Sequence, residues 1–306
     1  MRPRLPHAES VLPYLSKMDA NRTYSNFGPL VEEYTQRIAE RVNVSDPTRV
    51  VVTSSATIAL EGACSLFAVS TYQVPSFTFP ATAHAVIRAH RQLEVVDIQN
   101  SNWEIDPNYQ DGPSTGIIKV APFGAVPRPT RQTDGSVEII DAAASMGAQP
   151  LDLADLPELT TVIFSLHATK VFGIGEGGVA VFSSSEIASQ FKTWLNFGFD
   201  GTRQSQLIGT NGKMSEIAAA YGLAVTDSWA DEVHEWRSAN QKAAEITERV
   251  GLRTPLSETA GVSPYWIVEF PDSDQARQAE RRLASAGVAT RRWWESGLHK
   301  MPAFRN

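Results

Sequence analysis

Short runs rich in Val and Ile recur along the first 184 residues, and several are followed by a stretch with helical spacing. RVVVTSS (49–55) precedes TIALEGACSLFAVS (57–70), and VPSFTF (74–79) precedes ATAHAVIRAH (81–90). LEVVDI (93–98), GIIKVAPF (116–123), VEIIDAA (137–143), LTTVIFSL (159–166) and GGVAVFSS (177–184) continue the series. Apolar runs this short suit strands covered on both faces, and helices between them supply the crossovers of a parallel sheet. The pattern predicts an α/β domain with a mostly parallel sheet flanked by helices. Beyond residue 184 the spacing is mainly helical. SPYWIVEF (263–270), DQARQAERRLASAGV (274–288) and ATRRWW (289–294) then predict a strand, a helix and a strand in a smaller α+β C-terminal lobe. The expected division is an N-terminal segment over 1–25, a large domain over 26–235 and a small domain over 236–306.

Charge and cysteine usage narrow the classes of partner. A formal charge of −7 on 306 residues provides no global field for nucleic acid or an anionic membrane. An anionic ligand would need local cations or backbone donors. The single cysteine, Cys64, forms no intrachain disulfide and fits a reducing compartment as a core residue. MRPRLPHAES lacks the apolar stretch of a signal peptide, and no run is long enough to span a bilayer, so a cytoplasmic location is expected. The six histidines are scattered without paired spacing, and no metal is expected.

Ligand sites in open α/β sheets lie beyond the carboxyl ends of the strands. That rule selects TSSAT (53–57), DAAAS (141–145), SLHATK (165–170) and, less clearly, PSFTFPAT (75–82). TSSAT closes a strand and opens a helix, where backbone N–H groups with Ser and Thr hydroxyls suit a phosphate; Ser is equally an ordinary helix cap. Asp141 at a strand end serves as a cap, a metal ligand or a charge partner, and capping is the simplest of these. Lys170 is more informative, because it follows a strand and precedes four glycines within a weakly polar setting. Such surroundings lower an amine's pKa and make it a nucleophile toward a carbonyl. A phosphate cradle, a strand-end Asp and a strand-end Lys together form the set that pyridoxal 5'-phosphate needs: a lysine for its aldehyde, an acid for its ring nitrogen and a seat for its phosphate.

SNFGPLVEEY (25–34), TSSATIAL, VPSFTFPATAHAV, VVDI, IIDAAASMGA, FSLHATKVFGIGEGG and TNGKMSEIAAAYGL carry a resemblance. In order and at similar spacing, they resemble the DegT/DnrJ/EryC1/StrS family of pyridoxal-phosphate-dependent nucleotide-sugar aminotransferases, of fold type I. HATKVFGIGEGG and GVATRRWWESGLHKMPAF are similar to the branch acting on nucleotide-linked 4-keto-6-deoxy sugars. The resemblance implies that Lys170 binds the cofactor covalently, Asp141 pairs with its ring nitrogen and Phe79 stacks on its ring. Ser55, Ala56, Thr57 and Ser165 would hold the phosphate. Asn211 would reach the cofactor phosphate of a second subunit, which implies a homodimer with shared active sites. His167 is a candidate for the sugar or phosphates of the substrate, and Lys213, Arg291 and Arg292 are candidates for its diphosphate; packing for His167 and surface charge for the other three are equally open.

The implied activity moves an amino group from an amino acid, L-glutamate by analogy, to the ketone of a nucleotide-linked keto-deoxysugar, at C4 of a dTDP-4-keto-6-deoxyhexose. The alternative is a catalytically altered relative that binds the cofactor, either a regulatory protein or a dehydratase-like enzyme; the latter replaces the lysine with histidine, so Lys170 argues against it. Three residues depart from the family pattern: Ala56 where glycine is usual, Ala144 where Gln is usual and Lys213 where Arg is usual. Lys213 keeps the charge but not the planar fork. The sequence ends with MPAFRN, so an incomplete small lobe is also expected.

Overall fold

The apolar runs become strands whose alternate side chains enter two different cores. In the computed structural model, which describes residues 3–106, 115–130, 135–255, 262–294 and 296–305, seven strands form one sheet. They are β1 (Val50–Thr53), β2 (Thr71–Pro75), β3 (Gln92–Val96), β4 (Thr115–Val120), β5 (Glu138–Asp141), β6 (Thr160–Ser165) and β7 (Gly178–Phe182), in the order β1-β7-β6-β5-β4-β2-β3. Val50, Val52, Ile140, Val162 and Phe164 face one core, with Leu30, Tyr34 and Ile38 from α2 (Pro29–Arg41) and Leu223 from α6 (Glu216–Arg249). Val51, Ile139, Ile163, Ala180 and Phe182 face the other, with Leu60 and Cys64 from α3 (Ala56–Leu66), Val86 from α4 (Pro80–Arg88) and Phe191 from α5 (Ser185–Leu195). Period-two alternation thus loads both faces with apolar side chains. Cys64 is fully buried, and burial pushes its thiol pKa up.

The sheet is parallel except at β7, which runs antiparallel to both β1 and β6. The reversal has a local cause. After β6 the chain returns through a hairpin, in which Leu166 N donates to Gly177 O at 3.0 Å and Ala168 N to Gly175 O at 2.8 Å. The twelve residues between β6 and β7 pair with one another in this hairpin instead of crossing over the sheet, as a parallel return would need.

The strand expected over 74–79 begins and ends earlier, at Thr71–Pro75, because Pro80 opens α4 and leaves 76–79 as a loop. The C-terminal region corrects the sequence expectation more strongly. Among the described residues, 263–270 contributes a single bridge, Glu269 with Arg253, and 289–294 is irregular. Aromatic contacts draw these segments away from strand pairing: Trp266 Nε1 donates to Thr247 Oγ1 at 2.7 Å, Tyr265 meets Trp293 at 4.6 Å and Trp294 meets Phe77 at 4.6 Å. The helix between them forms as α7 (Ser273–Ser285). Leu298, fully buried, pins the last segment to the sheet by donating its N–H to Ser76 O at 2.7 Å. Among the described residues no helix is long and apolar enough to cross a membrane.

One buried carboxylate joins the first helical layer to α6. Glu216, in the first turn of α6 and 1% exposed, accepts from Leu30 N at 2.8 Å and Val31 N at 2.9 Å. These amides open α2, where no earlier turn supplies a partner and negative charge is favoured by the helix dipole. Glu216→Ala leaves both amides buried and unsatisfied, and a loss of about 2–4 kcal/mol is expected in urea unfolding. Glu216→Gln, which keeps one acceptor, should lose less.

Candidate active site

Strand register gathers the predicted residues at one edge of the sheet. Thr53, the last residue of β1, lies opposite Gly178, which lies opposite Ser165, the last residue of β6. Asp141, the last residue of β5, lies opposite Ile163 of β6. β1, β5 and β6 therefore present their carboxyl ends to a common surface, with the first residue of β7 between two of them.

The TSSAT loop turns at that surface into α3. Ser55 is the helix cap, its Oγ accepting from Ile58 N at 3.3 Å, and Thr53 Oγ1 donates to Ser55 O at 2.9 Å. Ala56 is buried, and the hydroxyl of half-buried Thr57 makes no hydrogen bond among the described residues. Gly178 makes this approach possible: a Cβ there would stand 2.6 Å from Ala56 N and 2.6 Å from Ser55 C. The capping reading of Ser55 is thus realised, and the helix start still offers backbone donors toward the sheet edge.

Asp141 is 5% exposed, and each of its oxygens has a donor. Thr82 Oγ1 reaches Oδ2 at 2.7 Å and Ala143 N reaches Oδ1 at 3.2 Å, while Thr78 and Thr82 share a hydroxyl contact of 2.8 Å. Burial raises the Asp141 pKa; the Thr82 and Ala143 hydrogen bonds and the Lys170 charge oppose that rise. Lys170 is half-buried with its N–H donating to His167 O at 2.9 Å. Burial lowers its pKa against the pull of Asp141. The two groups are electrostatic neighbours, each held partly out of water.

The remaining candidates separate into two sets. Ser165 is buried at the sheet edge, its Oγ accepting from His167 N at 3.2 Å. Phe79 precedes α4 and is 60% exposed, which leaves its side chain accessible to a planar ligand. His167 is tied to its own loop, Nδ1 lying 2.8 Å from Thr169 Oγ1 and Nε2 3.6 Å from Glu176 Oε1. Asn211 is exposed and bridges Asn196. Lys213 lies opposite Thr53, donates to Asn196 Oδ1 at 2.8 Å and sits 4.8 Å over the Phe197 ring. A cavity of about 360 Å³ opens beside Ser54, Glu176, Lys213, Ser215 and Tyr221. Arg292 is engaged with Glu280 of α7 at 2.6 Å. Sequence reasoning missed Thr78, Thr82 and Gly178, although PSFTFPAT had been marked as a ligand loop and its two threonines were the available signal.

The donor set fits pyridoxal phosphate: an amine, a buried carboxylate oriented by two donors, an exposed aromatic ring, and a helix start beside the Ser165 hydroxyl. Together, fold and site define a fold type I enzyme framework of the pyridoxal-phosphate class. The chain belongs to the DegT/DnrJ/EryC1/StrS aminotransferase family, which matches residues 7–306. It is similar to dTDP-4-amino-4,6-dideoxy-D-glucose transaminase of Shigella dysenteriae, with 30% identity over 232 residues, 72% of this chain and 62% of that protein. It thus spans less than two thirds of the length of that relative. The fold is similar to that of a Bacillus cereus ATCC 10987 protein assigned as a PLP-dependent aminotransferase, at TM-score 0.88 and 26% identity, covering all of this chain and 88% of that one. A second likeness is to DesI, solved in the presence of its TDP-sugar product, at TM-score 0.84 and 27% identity over 99% of this chain and 81% of that one. Family and structural likeness together imply pyridoxal 5'-phosphate as the cofactor.

The raised pKa of Asp141 has a definite sign in stability. The folded chain binds a proton that the unfolded chain has released, so the Asp141 contribution is present at low pH and is lost as pH rises above the ordinary value of 3.8 through the folded one. In cofactor-free protein, Asp141→Asn should therefore compare more favourably with wild type at pH 8 than near pH 4, close to the ordinary carboxyl value. Paired urea titrations at the two pH values measure the difference.

Proposed function

We propose that the chain is a pyridoxal-phosphate-dependent aminotransferase that carries an amino group from L-glutamate to the ketone of a nucleotide-linked keto-deoxysugar, at C4 of a dTDP-4-keto-6-deoxyhexose. The observation that carries this reading is that Lys170 and Asp141 lie as electrostatic neighbours beyond the carboxyl ends of β6 and β5, each shifted by burial toward its neutral form. The names of two relatives support the sugar assignment: both the Shigella dysenteriae protein and one from Escherichia coli, 28% identical, are dTDP-4-amino-4,6-dideoxy-D-glucose transaminases.

When bound, the cofactor supplies an aldehyde for amine exchange and a ring that accepts the electron pair left as an α-proton departs. The residues divide the remaining work. Lys170 Nζ, with its pKa lowered, holds the cofactor at rest and then takes and returns the proton at the substrate carbon. Asp141 supplies the charge for a protonated ring nitrogen, and Thr82 with Ala143 N–H fixes its carboxylate so that it need not reorient. Phe79 covers the ring. Ser55, Ala56, Thr57 and Ser165 seat the phosphate with the N–H groups at the start of α3. His167 and Lys213 face the substrate side in this reading, and the tethering of Lys213 to Asn196 makes it a positioned cation.

The same reading includes a homodimer and two lobes. Ile208 is 97% exposed and Phe197 48% exposed on the segment that ends at Asn211. That apolar projection supports a second copy covering it, with Asn211 entering the neighbour's phosphate site. Residues 1–25, 26–235 and 236–306 are proposed as the N-terminal segment, large domain and small lobe. α6 runs unbroken through 235–236; its first half, through Val233, is packed in the main core, while Ala243 and Ala244 form a separate cluster. The shared reaction is placed in the cytoplasm, where nucleotide sugars and glutamate meet.

Added pyridoxal phosphate should turn the protein yellow, and L-glutamate should bleach that band. Lys170→Ala should abolish the band and lower turnover by about 10²–10⁴-fold with the fold intact by circular dichroism. A band that persists in Lys170→Ala, or turnover that is unchanged, sinks the assignment. Mass spectrometry with dTDP-, UDP- and GDP-linked 4-keto sugars reads the acceptor, and preference for the dTDP sugar is expected. Mixed Lys170→Ala and Asn211→Ala subunits should recover activity that neither variant has alone, if sites are shared.

A further inference from the structure

Arg41 closes α2, where an arginine ordinarily lies over the last carbonyls in solvent. Here it turns inward. Its Nη2 and Nε donate to Met146 O at 2.6 and 3.2 Å. Its guanidinium carbon stands 4.9 Å from the Phe172 ring centroid and 4.6 Å from that of Trp229. Those two rings meet edge-on at 4.9 Å and form a corner against which the planar cation rests. Burial pushes the Arg41 pKa down to about 10, which leaves it charged at neutral pH, and no carboxylate among the described residues offsets that cost.

The groups it holds are not arbitrary. Met146 lies five residues after Asp141, and Phe172 lies two residues after Lys170. The two loops also touch directly, since a Cβ on Gly147 would stand 2.4 Å from Val171 Cγ2. Arg41 therefore reaches from a third element into the contact between the loop of the acid and the loop of the amine. A cation buried without a counter-charge is costly unless its hydrogen bonds and stacking serve a fixed geometry.

We propose that Arg41 is a positioning residue for both active-site loops, setting the stance of Asp141 toward Lys170 through the Met146 carbonyl and the Phe172–Trp229 corner. The inference rests on the reading of Asp141 and Lys170 as the two groups that engage the cofactor. Lysine keeps the charge but has neither the paired donors nor the plane, and methionine keeps bulk alone.

The test compares Arg41→Lys and Arg41→Met with wild type as full chains, by hydrogen exchange and by absorbance titration with pyridoxal phosphate. In both variants the amides of 143–148 and 171–174 should exchange at least about tenfold faster, while those of β4, β5 and β6 keep their wild-type rates. The pH midpoint of the bound cofactor's absorbance should move by about half a unit or more, with kcat falling further than KM for glutamate changes. Exchange that is unchanged in both segments overturns the proposal, as does uniform acceleration that includes the strands. Wild-type exchange and midpoint in Arg41→Lys overturn it too, because charge alone would then suffice. Hydrogen exchange needs no bound cofactor, so a protein that never turns yellow defeats the cofactor reading, while unaltered loop exchange defeats this one.

Discussion

Burial of the sheet on both faces is the constraint from which the rest follows. With Val50, Val52 and Phe164 committed to one core and Val51, Ile163 and Phe182 to the other, β1, β5, β6 and β7 have no solvent face on which to carry chemistry. Polar function is displaced to the strand ends, where backbone leaves the ladder and side chains no longer need an apolar neighbour. The carboxyl ends of β1, β5 and β6 converge because β7 is interposed as a reversed strand between β1 and β6.

At that edge the protein sets burial against charge pairing. Asp141 and Lys170 are each pushed toward neutrality by desolvation and each pulled back by the other. The balance leaves an amine closer to its reactive form beside a carboxylate whose charge is oriented but under-compensated. A bound group that carried positive charge to Asp141 would relieve the cost. The site is thus destabilised in a way that ligand binding reverses, a common trade between stability and function.

Much of this was legible in the residues themselves, for identifiable reasons. The strands were readable because burial on both faces leaves uninterrupted Val and Ile runs, and Lys170, Asp141 and TSSAT stood out because each ends or follows such a run. What escaped depends on pairs far apart in the chain. Thr82 and Asp141 are separated by 59 residues, and Glu216 and Leu30 by 186, so no local pattern announces either contact. The direction of β7 was hidden for another reason: an apolar run looks the same in a parallel or an antiparallel ladder. The C-terminal strands failed because Tyr265, Trp266, Trp293 and Trp294 have high strand propensity yet spend their rings on contacts with α6, with one another and with Phe77.

The reversed strand has a consequence for how the chain assembles. Among the described strands β1 pairs only with β7, which lies more than a hundred residues downstream, and its other contact, the Thr53–Lys213 bridge, lies further downstream still. During synthesis Val50–Thr53 has no ladder to join until Gly178–Phe182 has emerged, so the earliest strand to be made is placed late. Such long-range closure slows folding and prolongs exposure of apolar segments. It also means that the start of α3, which depends on Gly178 for its seat, and the Lys170 loop, which precedes β7 directly, come together in one event. In the proposed reading the phosphate seat and the reactive amine would thus be completed together, and a chain stalled before β7 would have neither in place.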